Sequence, residues 1–177
     1  VGKASLRSSL PTPHCGHGVS GVGAKRRLPF KKQYAVSDKD IYKYYRNEPK
    51  FRGCQSIWEL EQLPNVSEFY ILNQDLPENS GTHWVLLFRV DDDALIYFDS
   101  FGDYVPINIS RMADENKDKL WTNLQDIQQF GATSCGYWCI YIADKLLEGK
   151  DFFEIINALD PDGSTKNENI LKKHFSS

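Results

Sequence analysis

The chain has 177 residues, 41% of them hydrophobic and 25% charged, with a net charge of −3; that suffices for one domain with its own core and is too little for two ordinary ones. No run approaches the roughly 18 apolar residues of a membrane helix, and the amino terminus lacks the apolar core of a secretory signal, so neither a span nor an export leader is expected. The charge is uneven: residues 1–36 hold seven basic side chains and no acidic one, which leaves the other 141 residues with a net charge of −10.

Residues 1–33 are rich in Gly, Ser and Pro and show no hydrophobic period, which sets a basic arm (1–33) apart from a folded domain (34–177). Ser37-Asp-Lys-Asp40 ahead of Ile41, Tyr44 and Tyr45 predicts an N-capped amphipathic helix. Ser56 before Ile57-Trp58-Glu59 repeats the capping pattern and predicts a second, short helix ended by Pro64. Three strands follow, at residues 69–72, 83–90 and 94–98. The second comes after a turn-rich segment with Pro77, Gly81 and Thr82. Three aspartates at 91–93 join it to the third, which makes these two antiparallel neighbours at the sheet centre. A fourth strand is expected within 121–129. Residues 136–147 are apolar nearly all round and predict a buried central helix, with Gly149 as its stop. Asp151 with Glu154 caps a further helix bearing Phe152, Ile155, Ile156 and Leu159, broken by Pro161, and residues 167–175 predict a last one. The order helix, sheet, helix indicates an α+β domain whose central, mostly antiparallel sheet is flanked by helices.

Three residues at element ends carry candidate chemistry. Cys135 stands where Gly131-Ala-Thr-Ser134 runs into the buried helix, and the N–H groups and positive dipole end of a helix start favour thiolate over thiol and can hold an oxyanion. Gly136 beside it is expected to let a substrate approach closely. His83 opens the apolar strand, and Asp99 closes the next one sixteen residues on. In an antiparallel pair they lie at the same end of the sheet, where a carboxylate can fix the imidazole tautomer. Read singly, each has an ordinary explanation: a buried apolar cysteine, a strand-edge histidine, a turn-forming aspartate. Their joint placement suggests a Cys/His/Asp site.

Gly-Thr-His83-Trp84, then Tyr-Phe-Asp99-Ser-Phe-Gly, then a glutamine shortly before Cys135-Gly136-Tyr-Trp-Cys139 resemble the adenovirus endopeptidase (adenain) family with its viral and mobile-element relatives. The SUMO-deconjugating peptidases belong to the same wider group. The likeness in order and spacing runs over residues 36–175. It implies a papain-like cysteine protease fold of the adenain type, with Cys135 as nucleophile, His83 as general base and Asp99 as third triad member. The adenovirus enzymes have Glu where Asp99 stands, and the SUMO peptidases have Asp. The resemblance also implies an oxyanion-hole glutamine. Gln128 has the adenovirus-like spacing, seven residues before Cys135, and Gln129 the SUMO-peptidase spacing of six; the more viral surroundings favour Gln128. Trp84 is expected beside the site or in the core, and Cys139 in the core.

The implied function is cleavage of protein substrates after small residues, Gly above all, in precursor polypeptides of a virus or mobile element. The alternatives are a deconjugase of a SUMO- or ubiquitin-like modifier and an inactive, protease-like capsid or DNA-binding protein. No cofactor is expected, and no metal, because His14-Cys15-Gly-His17 offers three ligands on an arm without a fourth. Residues 21–30 bear a loose likeness to the short basic peptide that adds as a strand to the adenovirus enzyme and activates it. The expected partners are therefore an activating peptide strand or the arm itself, docking on the acidic body and activating it in cis, the alternative being a solvated tail that meets DNA non-specifically. Cys15, Cys54, Cys135 and Cys139 form no disulfide framework, which points to a reducing compartment: cytoplasm, nucleus or the interior of a virion.

Overall fold

The computed structural model of the chain describes residues 27–31, 34–76 and 83–176. Helix α1 (Asp38–Tyr44) starts where the sequence places it. The Ser37 hydroxyl accepts from the Asp40 N–H at 3.2 Å while the Asp40 carboxylate accepts from the Ser37 N–H at 3.0 Å, a reciprocal cap that satisfies two otherwise orphaned donors. A five-stranded sheet follows, β1 (Phe51–Ser56), β2 (Phe69–Asn73), β3 (Trp84–Asp91), β4 (Ala94–Phe98) and β5 (Lys119–Thr122), with spatial order equal to chain order. The pairs β2–β3 and β3–β4 are antiparallel; the outer pairs β1–β2 and β4–β5 are parallel. Between β4 and β5 lies α2 (Ile107–Glu115), and α3 (Cys135–Leu147), α4 (Phe152–Asn157) and α5 (Thr165–Phe175) complete the chain.

The near-continuous apolar character of β3 and β4 has a simple cause: both faces of the sheet are covered. Leu86, Phe88, Ile96 and Phe98 face the main core with α1, α3, α4 and α5, while Val85, Leu87, Leu95 and Tyr97 face a smaller core with Ile109 and Ala113 of α2. Trp138, Ile140 and Ile142 of α3 are fully buried against the main face, each side chain of this kind contributing ~1.5–3 kcal/mol relative to exposure. Far from the α3 start, Asp144 ties three helices together, accepting from Tyr44 Oη at 2.5 Å and Tyr45 Oη at 2.9 Å and lying 2.9 Å from His174 Nε2. Gly149, with φ +81°, ends α3 as expected, and Asp151 caps α4 through the Glu154 N–H at 3.0 Å.

Three expectations change. Residues 57–59 form a single 3₁₀ turn instead of a helix, since Leu60 returns to extended backbone. The strand expected within 121–129 is β5 at Lys119–Thr122; beyond it the chain bends under the turn after β4, because the N–H groups of Ile127 and Gln128 both donate to Ser100 O, at 2.8 and 3.0 Å. The antiparallel character is confined to the sheet centre. Of the arm, residues 27–31 lie against the body: Leu28 is buried in the main core, Phe30 meets Tyr137 edge-on at 4.9 Å, and Tyr137 Oη donates to Pro29 O at 2.9 Å. His14, Cys15, His17, Lys25, Arg26, Pro77, Gly81 and Thr82 fall outside the described residues. No helix among the described residues is long and apolar enough to cross a membrane.

Candidate active site

The register of the antiparallel pairs decides the site. Asn73 faces Trp84 and Leu86 faces Phe98, so the residues just outside these pairs, Gln74, His83 and Asp99, converge at one mouth of the sheet. His83 Nε2 lies 2.8 Å from Asp99 Oδ1. The Cys135 side chain also acts on the ring, as one of the causes that raise its pKa. Asp99 is fully buried and held from every side. Oδ1 also accepts from the Phe101 N–H at 2.8 Å, Oδ2 accepts from Gln74 Nε2 at 3.1 Å, and Asn123 closes on the backbone, donating to Asp99 O at 2.6 Å and accepting from its N–H at 3.2 Å.

This environment fixes the ionic character of the imidazole. Burial pulls the His83 pKa down, yet the hydrogen bonds to Asp99 and Cys135 and the charges of both outweigh it, raising it from 6.5 to about 10. The imidazolium form is therefore favoured, with Asp99 orienting it.

Cys135 is the first residue of α3 and is 7% exposed. No side chain caps this helix: Ser134 holds the N-cap position but turns its hydroxyl to Glu168 Oε1 at 2.8 Å. The first-turn N–H groups beside the sulfur thus lack a side-chain acceptor, as a thiolate or oxyanion site requires. Gly136 answers a different need from the one its sequence suggests. A Cβ there would lie 2.8 Å from Val36 Cβ and 3.1 Å from Trp84 Cδ1, so the room it leaves is taken by the body itself. Trp84, bonded through Nε1 to Val36 O at 2.8 Å, packs against Gly136, the residue after Cys135. Cys139 is fully buried, and burial first, then the Cys135 charge, pushes its thiol up; it belongs to the core.

The two glutamines differ in what their amides already do. Gln128 is buried, accepting from Ser100 Oγ at 2.9 Å and donating from Nε2 to Ala132 O at 2.5 Å, which braces the loop before Cys135. Gln129 is half-buried, and its amide makes no hydrogen bond among the described residues. The segment 160–168 supports this loop from below. Asn167 Nδ2 donates to Ile127 O at 3.0 Å, and Gly163, at φ +58°, admits Gln128 O where a Cβ would collide with it.

Gln74, Phe101, Asn123 and Glu168 were not singled out from the sequence. Each takes its place through strand register or loop packing, for which a polar residue in a turn gives no local signal.

No protein-family model matches the chain, and no curated protein sequence matches it. Among solved structures it is similar to the ASFV pS273R protease, with a TM-score of 0.54 at 15% identity over 82% of this chain and 68% of that one. The selenomethionine form of that protease gives 0.52 at 15% identity over 82% and 69%. A lower TM-score of 0.38, at 16% identity over 90% and 98%, is found with the Xanthomonas campestris effector protein XopD bound to ubiquitin, too low to bear on the fold. The chain has the α+β fold of the ASFV enzyme, the adenain-like cysteine protease fold that the sequence resemblance implies.

Proposed function

We propose that the protein is a cysteine peptidase. The observation that carries this reading is buried Asp99 bonded to His83 at 2.8 Å, with the thiol at the uncapped start of α3 among the causes that raise the histidine's pKa. In this reading the Cys135 thiolate attacks a peptide carbonyl, and His83 protonates the departing amine. The acyl-enzyme C–S bond is then cut by water that gives its proton back to His83. The first-turn N–H of Cys135 supplies one oxyanion donor.

Hydrogen-bond accounting changes the choice of the second donor. Gln128, favoured by sequence, has its carbonyl and one amide hydrogen committed to the loop, whereas the head group of Gln129 is uncommitted, so Gln129 is the better supported donor. A Gln129→Ala protein that folds normally should then lose roughly 100-fold in turnover, while Gln128→Ala should chiefly lower the melting temperature.

The substrate is proposed as a precursor polypeptide cut after a small residue, in keeping with the family resemblance and with the fold shared with the ASFV enzyme. Docking of the arm on the body is supported by the burial of Leu28. The direct test is cleavage of a peptide library by the wild-type protein and by Cys135→Ala. Cleavage after small residues by the first and none by the second is expected; equal behaviour would sink the reading.

A further inference from the structure

One aromatic ring is held against the general base and has no part in the chemistry described so far. Phe101 stacks on His83, ring centroids 5.0 Å apart and planes 29° from parallel, yet is 37% exposed. Its position is fixed by the backbone. The Phe101 N–H is bonded to Asp99 Oδ1 at 2.8 Å, and Gly102 follows at φ +68° with its N–H on Asp99 O at 2.9 Å. A Cβ on Gly102 would lie 2.8 Å from Leu124 O, so this turn and residues 123–125 are packed backbone to backbone. Leu124, 75% exposed, therefore stands on the neighbouring loop. Tyr104 continues the first loop and is 91% exposed. Scattered exposed apolar residues need no explanation, but three on two interlocked loops beside a catalytic base do.

The chemistry gives this strip a direction. His83 must hand its proton to the departing amine, so the part of the substrate after the scissile bond lies on the imidazole side of the thiol. We infer that Phe101, with Leu124 beside it, forms the leaving-group subsite and selects an apolar side chain immediately after the bond that is cut. This rests on the peptidase reading of Cys135 and His83 and deepens it. A side chain there covers the open face of Phe101 and shields the His83–Asp99 pair from water, which strengthens their interaction during proton transfer.

The subsite can be read without knowing the natural substrate, by running acylation backwards. The wild-type protein is acylated with a benzyloxycarbonyl-Gly-Gly thioester, and the acyl-enzyme is partitioned between water and added amino-acid amides. The amine attacks the Cys135 thioester, the C–S bond breaks as the C–N bond forms, and His83 takes the proton that the amine sheds. Phenylalanine amide should capture the acyl group roughly tenfold better than glycine amide. In Phe101→Ala that ratio should fall towards one, and in Phe101→Leu it should be partly kept. A wild-type ratio near one, or a ratio that survives in Phe101→Ala, would overturn the inference and leave the peptidase reading intact. Failure of the wild-type protein to form any acyl-enzyme would instead remove the reading on which the inference rests.

Discussion

At one end of β3, His83 meets Asp99 at 2.8 Å; near the other, Arg89 forks onto Asp118 at 2.7 and 2.8 Å. Both are buried ion pairs hung on the same strand, and both carboxylates are well held. The Arg89 end is closed. Two more of its donors go to Pro64 O at 2.6 Å and Asp92 O at 3.0 Å, and the Asp118 hydrogen bond, against a smaller opposing effect of burial, raises a pKa already too high to titrate. The His83 end is open. One ring nitrogen is spent on Asp99, Cys135 adds to the causes that raise the imidazole pKa, and the pair titrates at a pH that experiment can reach. What separates the two ends is a neighbouring thiol and a reachable pKa. Strength of pairing does not separate them.

Removing each cation in turn separates the two ends of β3. His83→Ala should cost roughly 10²–10⁴-fold in turnover and also lower the melting temperature, because buried Asp99 loses its partner. Arg89→Ala should destabilise by about 3 kcal/mol because a buried carboxylate is left unpaired, but the turnover of the protein that stays folded, and its pH profile, should be unmoved. Loss of activity in both by unfolding alone, seen by circular dichroism, would erase the distinction.

Titration sharpens it. With its folded pKa near 10 and its unfolded value near 6.5, His83 contributes stability that is complete below about pH 6.5 and is lost as pH rises towards 10. The melting temperature should therefore fall across that window, and less so in Asp99→Asn, while the Arg89 pair contributes nothing to the slope. The alkaline limb of acylation should also lie near pH 10 in the wild type and move down by roughly two pH units in Asp99→Asn, which removes the counter-charge. An unmoved limb would mean that Asp99 does not set the imidazolium.

A smaller effect is expected at Gln74, which bonds Asp99 Oδ2 and Tyr97 Oη through Nε2 and His83 O through its backbone N–H. Gln74→Leu should slow turnover about tenfold through misorientation of Asp99, and Gln74→Glu, adding a second carboxylate, should shift the alkaline limb upward. A slower Gln74→Leu with a normal limb in Gln74→Glu would make Gln74 a packing residue only.

Much of the fold is legible in the sequence where the cause is local. The Ser37–Asp40 and Asp151–Glu154 caps, the apolar runs of β2, β3 and β4, and the unbroken apolar start of α3 each announce themselves. Other elements lack such a cause. Helix α2 begins at Pro106 without a side-chain cap and buries only Ile109 and Ala113. Strand β1 is interrupted at Gly53 by a shift of register against β2, so its alternation is lost, and β5 is four residues long. At the site, Cys135, His83 and Asp99 could be named because they sit at element ends. Gln74, Phe101 and Asn123 could not, since only the pairing of β2 with β3 and the fold of 123–130 under the β4 turn bring them there.

The most direct measurement is the site and rate of alkylation by iodoacetamide, mapped by mass spectrometry across pH. Half-buried Cys54, its thiol pushed up by burial and by the Asp38 charge, and fully buried Cys139 serve as internal references. Among Cys54, Cys135 and Cys139 the adduct should form at Cys135 alone, and at least ~10-fold more slowly at neutral pH in His83→Ala, because the imidazolium no longer holds the thiolate. Labelling that favours Cys54, or a Cys135 rate indifferent to His83, would contradict the account.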